Sequence, residues 1–339
     1  MTNSLGLRRT VLLKQRPHGE PRPSDFEIDE HVIPEPGPGE VLTRTLWLSI
    51  DPYMRGRLSD RKSYAPPVQI GEMMTGETAG EVLVSTVPAF APGDWVVGSR
   101  GWQSHTISKA DNLVKVPRGA PLSTYLGVLG MPGVTAYSGM TDIGKPKAGE
   151  TVVISAASGA VGSVAGQLAK RAGARVVGVA GGPEKCFFVQ DFLGFDDCVD
   201  HQTIDLQGAL AEACPNGIDV YWENVGGDVQ QAAFNLLNPF ARVVMCGMVS
   251  QYNEPVFPPG PNLGFVVGKR IHMQGFIVSD KPERFAEWRA LAAPWIADGS
   301  LKFREDVVDG LENAPDALNG ILSGRNFGKL LVRVAEEAA

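Results

Sequence analysis

The sequence predicts an α/β protein, with a mostly β first region followed by a doubly wound parallel sheet. Three observations predict it. The chain has 339 residues, more than one ordinary core holds, so two domains are expected. Its first third is punctuated by Pro and Gly between short apolar runs with strand composition. From residue 151 onward, short β-branched runs alternate with helical stretches, the pattern that builds a parallel sheet with helices on both faces.

Residues 26–50 read as strand-rich, with a turn at Pro34-Glu35-Pro36-Gly37-Pro38-Gly39, and VLTRTLWLSI (41–50) has strand composition. Ala91-Pro92-Gly93-Asp94 forms a turn before the apolar WVVG. The texture changes near residue 122. TVVISA, RVVGVAG, CVDH, GIDVYWENV and ARVVMCGMV are the expected strands of the second half. VGSVAGQLAKRA, EKCFFVQDFLG, DLQGALAEAC and DVQQAAFNLL are its expected helices. In RFAEWRALAAPWIADG, Phe285, Trp288, Leu291 and Trp295 recur at helical spacing as core-facing residues, and Pro294 is expected to break or kink the helix near Ala293. Residues 301–339 return to strand–helix–strand texture. The expected domains are 1–122, 123–300 and a closing part of the first domain, 301–339.

Composition narrows the function. No run of about 18 apolar residues exists, so no transmembrane helix is expected. The N-terminal stretch lacks a signal-peptide core, and a cytoplasmic protein is expected. The net charge is −7 with scattered basic residues, which argues against a nucleic-acid or anionic-membrane surface. The four cysteines, Cys186, Cys198, Cys214 and Cys246, form no C-x-x-C pair and are expected to be free thiols.

The strongest local signal is the strand–turn–helix–strand of residues 151–182. Ala157, Gly159 and Gly162 take the three positions of a G-x-G-x-x-G fingerprint. Gly159 allows the backbone to approach a pyrophosphate, and Gly162 lets the helix pack closely on the sheet. The second strand ends at Val179-Ala180-Gly181-Gly182, without the acid that an NAD enzyme places on the ribose 2′-hydroxyl. Lys185 follows. A 2′-phosphate favours small residues and a cation, so NADP(H) is expected over NAD(H). The alternative for Lys185 is a solvated helix position.

With these residues in view, the chain resembles the zinc-independent branch of the medium-chain dehydrogenase/reductase superfamily, in the group of prostaglandin/leukotriene reductases and bacterial curcumin reductases. The matching stretches are LSIDPYMRGR (48–57), GMPGVTAY (130–137), AASGAVGSVAGQLAK (156–170), VVGVAGGPEK (176–185), ENVGG (223–227), VVMCGMVSQYN (243–253), QGFIVSD (274–280) and GRNFGKLLV (324–332). The resemblance implies a partly open β-barrel-like catalytic domain beside a Rossmann domain, and NADPH-dependent reduction of an enone or enal. It implies that Gly159, Ala160, Val161 and Gly162 hold the pyrophosphate and that Lys185 binds the 2′-phosphate. Asn224 would lie beside the cofactor. Cys246, Gly247, Ser250 and Tyr252 would line its nicotinamide half. Phe276, Ile277 and Val278 would meet the ring through backbone groups, and Asn326 would reach the cofactor from the closing segment. It also implies a homodimer joined at sheet edges, with 271–278 as the candidate edge strand. Two positions depart. His201 stands in Asp200-His201-Gln202-Thr203, where the family often has a Tyr, and Gly268 lies near the place of a Tyr carried by mammalian members.

No metal is expected. Zinc-dependent relatives use a Cys and a G-H-E motif in the first domain, whereas residues 1–185 contain no Cys and Gly76 stands where the ligand His would be. Hydride addition to the β-carbon of an enone needs a donor for the developing enolate, and a phenol is protonated at neutral pH. Tyr252, just beyond a strand end, is the first candidate donor. Tyr53 and Tyr64, in first-domain loops, are candidate substrate-side partners; a packing role is the alternative for each. Arg55 and Arg57 could aid an anionic substrate, but as loop arginines they are expected to be solvated. A quinone reductase of the same superfamily and a catalytically idle NADPH-binding protein share every cofactor motif and remain the competing readings.

Overall fold

A computed structural model describes residues 6–337 of the chain, which divides into two compact units. The first runs to Leu126 and regains the chain at Glu305–Asn326 and from Leu330. The second is Gly127–Arg304 with Phe327–Lys329.

In the first unit, β1 (Leu7–Leu13) and β2 (Phe26–Val32) form an antiparallel pair. β3 (Glu40–Ser49) is the spine of the larger sheet. After it come the single turn α1 (Met54–Arg57), β4 (Glu77–Ser85), β5 (Trp95–Ser99), β6 (His105–Lys109) and β7 (Val114–Lys115). A register shift between Thr45 and Trp47 bends β3, whose first half pairs with β6 and whose last residues lie in register with the final strand of the chain.

The second unit begins with α2 (Met131–Gly139) and β8 (Thr151–Ser155), followed by α3 (Ala160–Arg171), β9 (Arg175–Ala180) and α4 (Pro183–Phe187). Then come β10 (Asp197–Asp200), α5 (Leu206–Ala213), β11 (Ile218–Glu223), α6 (Gly227–Leu236) and β12 (Leu237–Met245). α7 (Gly264–Lys269), β13 (His272–Gly275) and α8 (Glu283–Ala297) complete it. The strands form one parallel sheet in the order β10-β9-β8-β11-β12-β13. The chain then returns to the first unit with β14 (Glu305–Asp309), α9 (Ala314–Leu322) and β15 (Lys329–Arg333). The larger sheet of that unit has the order β14-β15-β3-β4-β5-β7, with β6 on β3. Leu311, Leu318, Leu330 and Val332 share a buried core with Val11, Leu48, Met54 and Trp102, so the closing segment is part of the first unit's interior.

Close approach at two glycines fixes α2 and α3 against their neighbours. A Cβ on Gly166 of α3 would stand 1.8 Å from the Phe195 ring. A Cβ on Gly133 of α2 would stand 1.9 Å from the Val128 carbonyl oxygen.

Pro294 does not break α8, which runs through it to Ala297. The helix is held by side chains on either side of the proline. Trp288 is fully buried, stacks on Tyr137 at 5.4 Å and donates from Nε1 to the Val128 carbonyl at 2.7 Å. The Arg171 guanidinium lies 4.0 Å from the Trp295 ring. The expected aromatic stripe is only partly core, because Leu291 is 40% exposed while Ala292 is buried. All four cysteines are free. No helix among the described residues is long and apolar enough to cross a membrane.

Candidate functional site

The site is built at the carboxyl ends of the parallel strands. β8 ends at Ser155, and Ala156 then takes the left-handed region at φ 49°. The turn is pinned where Ala157 N–H donates to the Val179 carbonyl and Gly159 N–H to the Ala156 carbonyl, both at 3.0 Å. Gly159 is the extended N-cap residue of α3, and no side chain caps that helix. The first-turn N–H groups at Ala160, Val161 and Gly162 therefore carry the positive helix end that suits a phosphate. A Cβ on Gly162 would lie 2.3 Å from the Ala156 carbonyl oxygen, so this turn requires glycine there. The cradle fits a dinucleotide pyrophosphate.

The end of β9 gathers a second group. Gly182 has φ 86° and leads into α4, which carries Lys185. The Lys185 ammonium lies 6.0 Å from the Phe327 ring centroid, and the Arg304 guanidinium lies 3.9 Å from the same centroid. Arg304 is a second cation of this cluster, and the sequence reading had not singled it out. His201 N–H donates to the Ala180 carbonyl at 2.9 Å, and its ring packs on Gly181, where a Cβ would stand 2.8 Å from Nε2. Asp200 places a carboxylate at the same turn. Its Oδ1 accepts from the Gly182 N–H at 2.9 Å and the Gln202 N–H at 3.0 Å, and these bonds hold the carboxyl below its usual range. That oxygen is committed to the backbone.

A third group forms where β11 and β12 end. Asn224 donates from Nδ2 to the Ser155 carbonyl at 2.7 Å and accepts from Trp222 Nε1 at 3.0 Å, so its amide is engaged within the crevice wall. The Ser250 hydroxyl donates to the Val225 carbonyl at 2.6 Å. Tyr252 follows the turn Val249–Gln251, and its hydroxyl accepts from the Met248 N–H at 3.4 Å. A Cβ on Gly247 would stand 3.0 Å from that hydroxyl, so Gly247 leaves it room. The Cys246 thiol is pushed up to about 12 by burial and by Glu223, which keeps it neutral.

Glu223 organises this corner, and the sequence reading quoted it only within its motif. Its carboxylate is fully buried. Oε1 accepts from Val225 N–H at 2.6 Å, Gly226 N–H at 2.9 Å and Ser155 Oγ at 3.1 Å; Oε2 accepts from the Tyr221 hydroxyl at 2.9 Å. Its backbone carbonyl accepts from Cys246 and Gly247. Burial pushes the carboxyl up, against the pull of these donors. Three of its four partners lie within three residues of it, and the fold adds Ser155 from 68 positions away.

Beyond β13, Phe276 packs its ring on Trp222 at 6.1 Å, Ile277 is extended, and Val278 opens a short turn. The expected edge strand 271–278 is shorter than predicted, His272–Gly275, because Phe276 leaves the sheet to make that ring contact.

In the first unit, Tyr53 precedes α1. Burial, and then Asp51 and Glu77, push its phenol far above the ordinary range, so the hydroxyl keeps its proton. The Arg57 guanidinium lies 5.5 Å from the Tyr53 ring and 4.6 Å from the Tyr64 ring; Tyr64 itself is 60% exposed. The expectation that Arg55 and Arg57 are solvated is not met. Both are buried, Arg55 donating to the Gly19 carbonyl at 2.9 Å and Arg57 to the Ala65 carbonyl at 3.2 Å. Asn326 lies between α9 and β15. At Gly76, a Cβ would stand 2.9 Å from the buried Trp102 ring, so an imidazole does not fit there. Among the described residues no three His, Cys, Asp or Glu side chains are grouped to hold a metal ion.

Residues 9–116 match a family described as the N-terminal domain of oxidoreductase, and residues 160–298 one described as zinc-binding dehydrogenase. The donor set just described does not fit the zinc of the second description. An NADPH-dependent curcumin reductase of Escherichia coli is 50% identical over 336 residues, covering 96% of this chain and 97% of the relative. An NADP(+)-dependent 2-alkenal reductase of Nicotiana tabacum is 42% identical, covering 97% and 98%. The crystal structure of CurA in complex with NADPH from Vibrio vulnificus aligns with a TM-score of 0.93 at 48% identity, covering 97% of this chain and 100% of that one. With this likeness along nearly its whole length, the chain belongs to the zinc-independent branch of the medium-chain dehydrogenase/reductase superfamily, in the group of the curcumin and alkenal reductases.

Proposed function

We propose that this protein uses NADPH to reduce the carbon–carbon double bond of α,β-unsaturated ketones and aldehydes. The observation that carries the reading is the corner where β8, β11 and β12 end, with an uncapped helix end for a pyrophosphate and a tyrosine hydroxyl on one crevice wall. The names of the relatives in E. coli and N. tabacum support the same cofactor, and the second names a 2-alkenal, an unsaturated aldehyde.

When bound, NADPH supplies the hydride that adds to the β-carbon of the substrate. The residues proposed to hold it are the turn from Gly159 to Gly162 at the pyrophosphate, and Lys185, His201 and Arg304 at the 2′-phosphate. The wall made by Asn224, Cys246, Gly247, Ser250 and Tyr252, the backbone of Phe276–Val278, and Asn326 are proposed for the remainder. As the β-carbon gains hydride, negative charge gathers on the carbonyl oxygen. The Tyr252 hydroxyl accepts from the Met248 N–H on the loop that follows β12, and it is the proposed stabiliser of that enolate. Tyr53, held protonated, and Tyr64 are proposed as substrate-side partners.

The edge strand β13 supports assembly. The neighbouring α7 leaves Val267 80% exposed, and Met273 on the strand itself is 39% exposed. An open apolar edge invites pairing. A twofold dimer through β13 is proposed. The free thiols and the absence, among the described residues, of a helix able to span a membrane support a cytoplasmic location. An exported form would contradict that location.

Four outcomes test these proposals. The unmodified enzyme should consume NADPH with enones and enals and give saturated carbonyl products, whereas turnover confined to quinones would contradict the reading. NADPH should bind at least about tenfold tighter than NADH, roughly 1.4 kcal/mol, and Lys185→Ala should remove most of that difference; equal affinity in the parent would overturn the cofactor assignment. Tyr252→Phe should lower kcat by a factor on the order of 10²–10³ with NADPH affinity near that of the parent. A change within about threefold would end the donor assignment. Light scattering at two protein concentrations should give a dimer mass, and a monomer at both would refute pairing through β13.

A further inference from the structure

The second unit carries a cavity that the cofactor reading does not use. It has a volume of about 340 Å³, opens to solvent, and has Lys170, Arg171 and Lys302 in its wall and no carboxylate. In a chain of net charge −7, three cations around one opening reverse the charge locally. Lys170 and Arg171 end the 12-residue α3, about 18 Å from its start, so the cavity lies away from the turn proposed for the pyrophosphate. Each cation is held in place. Lys170 Nζ donates to both Asp196 carboxylate oxygens, at 2.7 and 2.8 Å. Arg171 donates from Nη2 to the Ser300 carbonyl and hydroxyl, each at 2.9 Å, and lies against the Trp295 ring. Lys302 Nζ lies 5.1 Å from the Phe192 ring centroid. The Lys302 backbone is locked to the buried Gln167, whose Nε2 donates to its carbonyl at 2.8 Å and whose Oε1 accepts from its N–H at 2.9 Å.

These charges do not cancel. Asp196 answers Lys170, but Arg171 and Lys302 form no ion pair with a described residue. Asp298 lies near Arg171, yet its Oδ1 accepts from the Ser300 N–H at 2.8 Å. The carbonyl end of α3, which would repel an anion, is closed by backbone N–H groups. Ala172 bonds back to Leu168 and Ala169, Gly173 to Lys170, and Ala174 to Ala169. Gly194 leaves the rim open, since a Cβ there would meet no atom within 4 Å. We propose that this cavity binds a small phosphate ester, its phosphate held by Arg171 and Lys302 with Lys170 at the edge.

A phosphate monoester carries about 1.5–2 negative charges at neutral pH and three strong acceptor oxygens. Two cations without ion pairs match that charge, whereas a single carboxylate would leave one of them unmatched. Lysine serves a phosphate as a point charge, and Arg171 spends only Nη2 on Ser300. Small-molecule sites start at about 300 Å³, so the cavity has room for more than a bare phosphate, and Leu193 gives the carbon part of an ester an apolar wall. Cations that served only to offset the end of α3 would need no third member arriving from beyond α8, and no cavity between them.

The test is calorimetric titration of the full-length protein, saturated with NADPH, using glycerol 3-phosphate, inorganic phosphate and succinate at matched ionic strength. Glycerol 3-phosphate should bind once per chain with a dissociation constant of about 1 mM or below, at least about threefold tighter than inorganic phosphate. Lys302→Gln and Arg171→Gln should each weaken it at least about tenfold, and Lys302→Gln should keep the melting temperature of the parent. Lys185→Ala, titrated in the same way, should bind within about twofold of the parent, which separates this cavity from the proposed 2′-phosphate site whether or not that assignment holds. No saturable binding up to about 20 mM, parent-like binding by Lys302→Gln, or loss of binding in Lys185→Ala overturns the proposal. Inorganic phosphate bound as tightly as the ester, or succinate bound more tightly, overturns the assignment of the ligand as a phosphate ester.

Discussion

The Glu223 carboxylate is the constraint on which the crevice depends. It lies in the interior with no cation beside it, and four donors from three segments converge on it. Leaving any one of those donors unpaired in the core costs about 1–3 kcal/mol, so the three segments hold each other in place. Through the side chain, β8 is tied to β11 and the turn after β11 is closed. Through the backbone carbonyl, the chain leaving β12 is turned at Cys246 and Gly247. Tyr252 is then set on a loop whose start is anchored at Asn224 and Val225. The position of the proposed donor follows from a carboxylate that need never touch the substrate.

The other end of the sheet follows a different rule. There the backbone is exposed to a ligand by small residues, and the charges are carried on helix and turn. Gly159 and Gly162 bring α3 against the sheet, and Gly181 and Gly182 leave space in which His201 and Lys185 are arranged. A carboxylate does stand nearby in Asp200, yet two backbone N–H groups occupy it. On the proposed reading, the preference for a phosphorylated ribose depends on where that acid is bonded as well as on which residues end β9.

Much of this was legible in the sequence because it is local. The alternation of β-branched runs with helical stretches is a property of consecutive residues, and so is the spacing of Ala157, Gly159 and Gly162. What the sequence left out is non-local. The role of Glu223 needs Ser155, 68 positions away, to join the nearby Tyr221 and two turn amides. Arg55 and Arg57 looked like loop cations, but carbonyls at Gly19 and Ala65 receive them in the interior. Pro294 carries a strong local signal for a helix break, and packing of the tryptophans on α8 overrides it. Local rules failed where tertiary contacts supplied what the backbone lacked.

The chemical claim at the centre of this account is addition at the β-carbon with charge held on the carbonyl oxygen, in a site whose side chains provide hydrogen-bond donors and no metal ligands. Single-turnover reduction of an enone with NADPH deuterated at the transferable C4 position tests it most directly. The account predicts deuterium at the β-carbon of a saturated ketone, with a solvent-derived hydrogen at the α-carbon. Deuterium at the carbonyl carbon of an allylic alcohol would contradict it.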